Sequence, residues 1–191
     1  MNQLGDRFER GLVLAARLHG DQIRKGSGVP YLSHLLAVAS LVLENGGSED
    51  EAIAALLHDA VEDRGGNKVL NQIRAEFGEV VAEIVQGCSD CEGNPKPPWR
   101  ERKEAHLAHL STASESVLLV TSADKLHNAR CFLADYRALG EDLWPRFRGG
   151  KEGTLWYLRS YVELARQRGP VMILDELDRV VSELERLAKL T

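Results

Sequence analysis

Cysteine is scarce in this sequence of 191 residues, which contains only Cys88, Cys91 and Cys131. Three cysteines cannot form a disulfide framework, and we expect a reducing, cytoplasmic environment. Cys88 and Cys91 have the spacing of a metal or redox pair. A structural zinc site requires four ligands, however, and the sequence offers no second pair, so we interpret these two cysteines as incidental.

Long apolar stretches are also lacking. The longest run of branched aliphatic residues covers positions 117–120, whereas a membrane-spanning helix needs roughly 18 apolar residues. The first residues contain no basic segment followed by an apolar stretch, so no secretory signal is expected. These features predict a cytoplasmic protein without a membrane partner.

Positive charge is not in excess either. The 24 lysines and arginines are outnumbered by 29 aspartates and glutamates, which gives a formal net charge of −5. This balance argues against nucleic acid as the main partner, but it allows a local basic pocket for a phosphorylated small molecule. The length and the 43% apolar content predict one globular domain over residues 1–191.

Apolar residues recur with helical spacing, and no segment alternates convincingly as a strand would. We therefore predict an all-α fold of about eight to ten helices. Ser48 and Glu51 form a capping-box pattern, and Ser114 is placed to cap a long helix that ends at Gly140. Thr154 is expected to cap a later helix.

The last predicted helix, over residues 171–189, carries an apolar seam made of Leu174, Leu177, Val181, Leu184 and Ala188. A seam of this kind packs either on the rest of the domain or on a second copy of the chain. From the sequence alone, a homodimer stays open.

Ionisable residues end the apolar helix predicted over residues 52–57, namely His58, Asp59, Glu62 and Asp63. The spacing of four places them in two parallel rows on one side of a single helix end. Imidazole beside carboxylate suits a divalent transition-metal ion, which would offset the cost of burying these groups. Alternatively, the first two residues cap the helix and pair with basic side chains, while the last two face solvent.

Asp124 follows the aliphatic run 117–120 on a helix that must be largely buried. Its carboxylate therefore needs a cation, which Lys125, an arginine elsewhere or a metal ion could provide. Asn128 shares the face of Asp124 because the two residues are four apart.

Arg24 and Lys25 open a glycine-containing cationic loop that could wrap an anionic phosphate. His34 lies one turn into the helix that follows, where a lone histidine is more often a packed core residue than a ligand. The remaining histidines have no partner pattern, apart from His127, for which an orienting role beside Asp124 is plausible. A basic run on a later helix, interleaved with acids, predicts a solvated face at Arg100, Arg102 and Lys103.

The order His34, then His58 and Asp59, then Asp124 resembles the metal-binding pattern of the HD-domain phosphohydrolase superfamily. The wider text is similar to the hydrolase domain of the RelA/SpoT enzymes, and most of all to stand-alone small alarmone hydrolases of the Mesh1 type. The matching motifs lie at residues 22–34, 57–63, 77–78 and 123–128. The resemblance implies an HD-type helical bundle with its metal core at about 4–161 and a C-terminal packing helix at about 171–189.

The resemblance also implies a role for each matching residue. One divalent ion, usually manganese, would be held by His34, His58, Asp59 and Asp124. The attacking water would be positioned or deprotonated by Glu62 and Asp63. The phosphorylated nucleotide would be contacted by Arg24, Lys25, Asn128 and, in a more loosely aligned region, Lys151.

The activity implied by the resemblance is that of a 3′-pyrophosphohydrolase. Attack of a metal-activated water would release pyrophosphate from a (p)ppGpp-like alarmone. Departures from the common pattern around the substrate leave the nucleobase open, so (p)ppApp is an alternative. Another small phosphorylated substrate, such as a 5′-nucleotide or NADPH, also stays open.

Overall fold

The computed structural model describes residues 4–25, 27–90, 97–168 and 171–189. Within these ranges the chain is helical, without strands, apart from an isolated β-bridge between Ile23 and Pro30. The α-helices are α1 (Asp6–His19), α2 (Leu32–Glu44), α3 (Glu49–Leu57), α4 (Ala60–Arg64), α5 (Gly66–Phe77), α6 (Glu79–Cys88), α7 (Trp99–Leu110), α8 (Glu115–Leu139), α9 (Gly150–Arg166) and α10 (Val171–Lys189). A 3₁₀ helix, Gly140–Arg146, joins α8 to α9. The all-α prediction is confirmed.

Side-chain caps fix the starts of the two helices that matter most for the site. The Ser48 hydroxyl accepts a hydrogen bond from the Glu51 backbone N–H at 3.3 Å, and the Glu51 carboxylate accepts one from the Ser48 N–H at 2.7 Å. At α8, the Ser114 hydroxyl accepts a bond from the Val117 N–H at 3.3 Å. Both predicted caps are present, and each satisfies backbone donors that a helix start leaves unpaired.

The core lies around α3 and the first half of α8. Residues 52–57 of α3 are fully buried, and residues 117–124 of α8 are buried throughout. Helix α3 packs on α1, α2 and α6, while α8 packs on α2, α6 and α10. The ends of these buried elements therefore present their polar side chains from a rigid support.

Helix α10 packs on α8 and α9 of the same chain. Its predicted apolar seam is at most 3% exposed at every position, Leu174, Leu177, Val181, Leu184 and Ala188. The seam therefore serves the domain core of this chain and is not available to a second copy.

The chain departs from the predicted helix boundaries in two places. Helix α3 stops at Leu57 and α4 begins at Ala60, so the expected single helix end is a turn between two helices. The cause is the His58 ring, whose Nδ1 donates a hydrogen bond to the Ala55 carbonyl at 2.8 Å. That carbonyl is the one a continuing helix would pair with the Asp59 N–H.

Thr154 does not cap α9, which begins one turn earlier at Gly150. Gly150 has a φ of 58°, a left-handed conformation that favours glycine, and it turns the chain into the helix. A Cβ on Gly149 would lie 2.7 Å from the Trp99 indole, and one on Gly153 would lie 2.9 Å from it. Glycines here let α9 begin against the start of α7.

No helix in the described ranges has both the length and the apolar character needed to cross a bilayer. The proposed insignificance of the cysteine pair is not addressed by the structure, because Cys91 lies outside the described residues.

Candidate active site

Four of the predicted residues, His34, His58, Asp59 and Asp124, meet at one point, and we call them the His–Asp cluster. The Nε2 atom of His34 lies 3.2 Å from Oδ1 of Asp124 and 3.7 Å from Oδ2 of Asp59. The Nε2 atom of His58 lies 3.1 Å from Oδ2 of Asp59 and 3.8 Å from Oδ1 of Asp124. The ligand atoms of His34, His58 and Asp59 all lie within 4.8 Å of one another. Helices α2 and α8 and the α3–α4 turn thus bring the cluster together.

The tautomer of His58 tests whether this cluster suits a metal ion. Because its Nδ1–H is donated to the Ala55 carbonyl, a neutral ring carries a lone pair on Nε2. That Nε2 is buried and makes no hydrogen bond within the described residues, although carboxylate oxygens of Asp59 and Asp124 face it. A lone pair opposite two carboxylates needs a cation between them, so the donor set fits a divalent metal ion.

The electrostatics of the cluster lead to the same requirement. Burial lowers the pKa of His58, but the carboxylates of Asp59 and Asp124 outweigh burial and raise this pKa well above its usual value. Burial raises the pKa of Asp59, yet the facing His58 holds it below its usual value. At His34 burial prevails, and its pKa is lowered. A proton on His58 therefore supplies the positive charge when a metal ion does not.

Neighbouring side chains hold the cluster in place. The Tyr31 hydroxyl donates to Oδ2 of Asp59 at 2.5 Å, and the His127 and His34 rings share a hydrogen bond between their Nδ1 atoms at 2.8 Å. The latter contact agrees with the predicted orienting position of His127. Tyr31 belongs to a matching motif, but the sequence assigned it no role.

Asp124 has two neighbours on its own helix. Its Oδ2 accepts a hydrogen bond from Lys125 Nζ at 2.6 Å, and its Oδ1 accepts one from Asn128 Nδ2 at 2.5 Å. Burial would raise the pKa of Asp124, but Lys125 and the two histidines hold it well below its usual value. The salt bridge to Lys125 and the approach to the histidines coexist, because they use different carboxylate oxygens.

A cavity of about 540 Å³ opens over the His–Asp cluster. Five of the other predicted site residues line it: Arg24, Lys25, Glu62, Asp63 and Asn128. Arg24 donates to the Asn128 side-chain oxygen at 2.8 Å, and Gln22 donates to Asp63 Oδ2 at 2.7 Å. Cations and acids from separate motifs thus face one enclosed space.

Lys151 is the exception among the predicted residues. Its ammonium pairs with Glu141 Oε1 at 2.7 Å, and it lines neither this cavity nor its neighbour. The pairing ties α9 to the preceding 3₁₀ helix, so the structure does not bring Lys151 to the cluster.

The predicted solvated face of α7 is wrong at Arg102, whose side chain is only 9% exposed. Arg102 and Lys103 both contact Asp90, a residue that the sequence analysis did not single out. They border a second cavity of about 480 Å³, the adjoining chamber, which shares Lys25, Glu62 and Asp63 with the first. The charged sequence of α7 gave no apolar stripe to signal this burial.

Comparison with protein families identifies the class. A family model described as HD domain matches residues 11–154. The chain belongs to the HD-domain family, and the resemblance seen in the sequence is confirmed.

The curated relatives carry one activity in their names. The guanosine-3′,5′-bis(diphosphate) 3′-pyrophosphohydrolase MESH1 of Xenopus tropicalis is 40% identical over 119 residues, which are 61% of this chain and 64% of that protein. A guanosine-3′,5′-bis(diphosphate) 3′-pyrophosphohydrolase of Haemophilus influenzae is 36% identical over 172 residues, which are 87% of this chain and 23% of that protein. The matches thus span a little under two thirds of the first relative and under a quarter of the second.

Two solved structures share the fold. A metazoan orthologue of SpoT that hydrolyses ppGpp superimposes with a TM-score of 0.79 at 23% identity, over 96% of this chain and 98% of that chain. A protein from Listeria monocytogenes superimposes with a TM-score of 0.68 at 28% identity, over 82% of this chain and 99% of that chain.

Proposed function

We propose that this chain is a divalent-metal-dependent 3′-pyrophosphohydrolase acting on (p)ppGpp-like alarmones, with Mn²⁺ as the metal. The observation that carries the proposal is the meeting of the His–Asp cluster with the cations Arg24 and Lys25 in one cavity. The names of the relatives support the substrate. We further propose that residues 1–191 form one cytoplasmic domain, in which residues 171–189 support a metal core at about 4–161.

The metal ligands in this proposal are His34, His58, Asp59 and Asp124. Two imidazoles and two carboxylates form a mixed donor set that suits a borderline ion such as Mn²⁺ and leaves coordination positions open. A divalent ion bound there polarises phosphoryl oxygens and lowers the pKa of water at its open positions.

Glu62 and Asp63 are the proposed acid–base pair. Both line the cavity beside the His–Asp cluster, and Gln22 fixes the Asp63 carboxylate by a 2.7 Å hydrogen bond. One of these carboxylates would take a proton from the attacking water, within hydrogen-bond reach of its oxygen. The water oxygen bonds to the phosphorus carried by the ribose 3′ oxygen, and the bond between them breaks. Pyrophosphate leaves, and the 3′ oxygen takes up a proton.

Arg24, Lys25 and Asn128 would hold the substrate. Two cations at the cavity wall match the phosphates of an alarmone and stabilise the charge that develops on the phosphoryl oxygens. The hydrogen bond from Arg24 to Asn128 sets the direction of the guanidinium. Lys151 stays a predicted phosphate contact, and it would have to leave Glu141 to serve as one.

The test is a product assay with the Mn²⁺-loaded chain. We expect pyrophosphate from ppGpp, and a parallel reaction with ppApp measures the nucleobase preference. Orthophosphate from a 5′-nucleotide or from NADPH, without pyrophosphate from either alarmone, would favour the alternative phosphohydrolase and overturn the proposal.

A further inference from the structure

A group of buried charges lies beside the proposed catalytic residues, and no part of the proposed function uses it. The side chain of Asp90, just after α6, is only 4% exposed. Its carboxylate receives hydrogen bonds from Arg102 at 2.5 and 2.7 Å and from Lys103 at 2.6 Å. We call these three residues the Asp90 triad.

The triad reaches Glu62 through Arg102. The same Arg102 nitrogen, NH1, that binds Asp90 lies 3.5 Å from Oε1 of Glu62, too far for a strong hydrogen bond. Arg102 thus stands between two carboxylates and is bound closely to only one of them. Removing Asp90 would release the guanidinium toward Glu62.

Asp90 also meets Glu62 directly. Burial would raise the pKa of Asp90, but Lys103, a hydrogen bond with Glu62 and the nearby Arg102 hold it well below its usual value. A hydrogen bond between two carboxyl groups requires one proton, and the low pKa of Asp90 leaves that proton with Glu62. Asp90 is therefore a fixed negative charge against the group that we assign to proton transfer.

We propose that Asp90 is a positioning residue for the reaction: it retains Arg102 and so keeps the Glu62 carboxyl free to exchange a proton in the cavity. This inference rests on the proposed hydrolase function. It accounts for burying three charges in a place where an apolar cluster would cost less. The other charged side chains that line the cavities with Glu62 are Lys25, Asp63, Asp59, Asp124 and Lys125.

The test uses Asp90→Asn, Arg102→Gln and the double variant, each measured for kcat, KM and the pH profile of kcat/KM. In Asp90→Asn, Arg102 closes onto Glu62 and makes its carboxyl a weaker base. We expect kcat to fall about 10- to 100-fold, KM to change little, and the acidic limb to move about one unit to lower pH. In Arg102→Gln the cation is lost, so the limb should move to higher pH.

Opposite displacements of the limb distinguish this role from a purely structural one. The double variant removes both charges, and its limb should return toward that of the wild type. The matched control is Glu104→Gln, which removes an acid from the exposed pair with Arg100 on the same helix and should change none of these quantities.

Limbs that move in the same direction, or that do not move, would overturn the inference. A loss of Mn²⁺ affinity in Asp90→Asn would also overturn it, because the role would then belong to the metal site. Failure of the proposed function is separate: wild-type protein would release no pyrophosphate from alarmones. In that case the same three variants, compared on whichever phosphorylated substrate the wild type does hydrolyse, must still show the opposite shifts.

Discussion

The Nε2 atom of His34 lies 3.2 Å from Oδ1 of Asp124, although these residues belong to helices far apart in the sequence. This contact fixes α2 against α8 at the floor of the cavity. Both side chains are buried, and both have a second partner that sets their direction, His127 for His34 and Asn128 for Asp124. The pair is therefore formed before any ligand arrives, and its oxygen and nitrogen face the same point.

Removing the charge of Asp124 should abolish metal binding without unfolding the chain. In Asp124→Asn the side chain keeps an oxygen that can accept from Lys125, so the buried ammonium retains a partner. We expect the affinity for Mn²⁺, measured by calorimetry, to fall about 100-fold or more. Asp175→Asn, at an exposed acid on α10, should bind as the wild type does. Undiminished binding in the Asp124 variant would remove this residue from the metal site.

Metal binding should stabilise the folded chain. At a free Mn²⁺ concentration about 100 times its dissociation constant, linkage predicts roughly 2.7 kcal/mol. This corresponds to an increase in Tm of about 5–10 °C for a domain of this size. His58→Gln should lose the increase, whereas His109→Gln, at an exposed position of α7, should keep it. An equal increase in both variants, measured by calorimetric melting, would mean that Mn²⁺ binds elsewhere.

Arg24 should contribute to substrate binding more than to metal binding. Removing its charge in Arg24→Gln takes away a charge-assisted contact with phosphate, and we expect KM to rise about tenfold or more. The affinity for Mn²⁺ should stay unchanged because Arg24 bonds to Asn128 and not to a ligand of the cluster. Arg17→Gln, on the exposed face of α1, is the control. A Michaelis constant that rises equally in both variants would indicate only a general charge effect.

His106 should make the chain sensitive to acid. Burial, together with the positive charges of Lys125 and Lys103, lowers the pKa of His106 to about 3 in the folded chain. The unfolded chain therefore binds the additional proton between about pH 6.5 and 3, and folding stability falls as the pH decreases through that window. At pH 4.5 the loss should be roughly 2–3 kcal/mol.

The corresponding variant is His106→Leu, which removes a buried Nδ1 that has no hydrogen bond within the described residues. Denaturant titrations at pH 7 and 4.5 should show a smaller loss of unfolding free energy in this variant than in the wild type. Identical losses in the two proteins would show that His106 does not contribute to acid sensitivity.

The seam of α10 should behave as core. Leu177 is fully buried, so Leu177→Ala should cost about 2–5 kcal/mol of unfolding free energy. The oligomeric state, measured by sedimentation, should not change, because this side chain packs within its own chain. A small energetic cost together with dissociation of an oligomer would show that the seam belongs to a subunit interface.

Local signals in the sequence predicted much of this fold. Ser48 and Ser114 begin α3 and α8 as expected, because a cap depends only on residues within one turn. The members of the His–Asp cluster were also found from residue type, spacing and family resemblance. Their meeting point in the structure agrees with that interpretation.

Tertiary contacts explain what the sequence did not predict. The turn at His58 depends on where its ring finds a carbonyl, and the start of α9 depends on the indole of Trp99. The burial of Arg102 depends on Asp90, which lies on the other side of a proline-containing segment. Pairing of this kind leaves no periodic pattern, so α7 resembled a solvated helix.

The most direct test of this account is a crystal of the Mn²⁺-loaded chain, measured at the manganese absorption edge. We predict one strong anomalous peak per chain among His34 Nε2, His58 Nε2, Asp59 and Asp124, at roughly 2.0–2.3 Å from each ligand atom. An absent peak there at saturating Mn²⁺, or a peak bound only by other residues, would contradict the account.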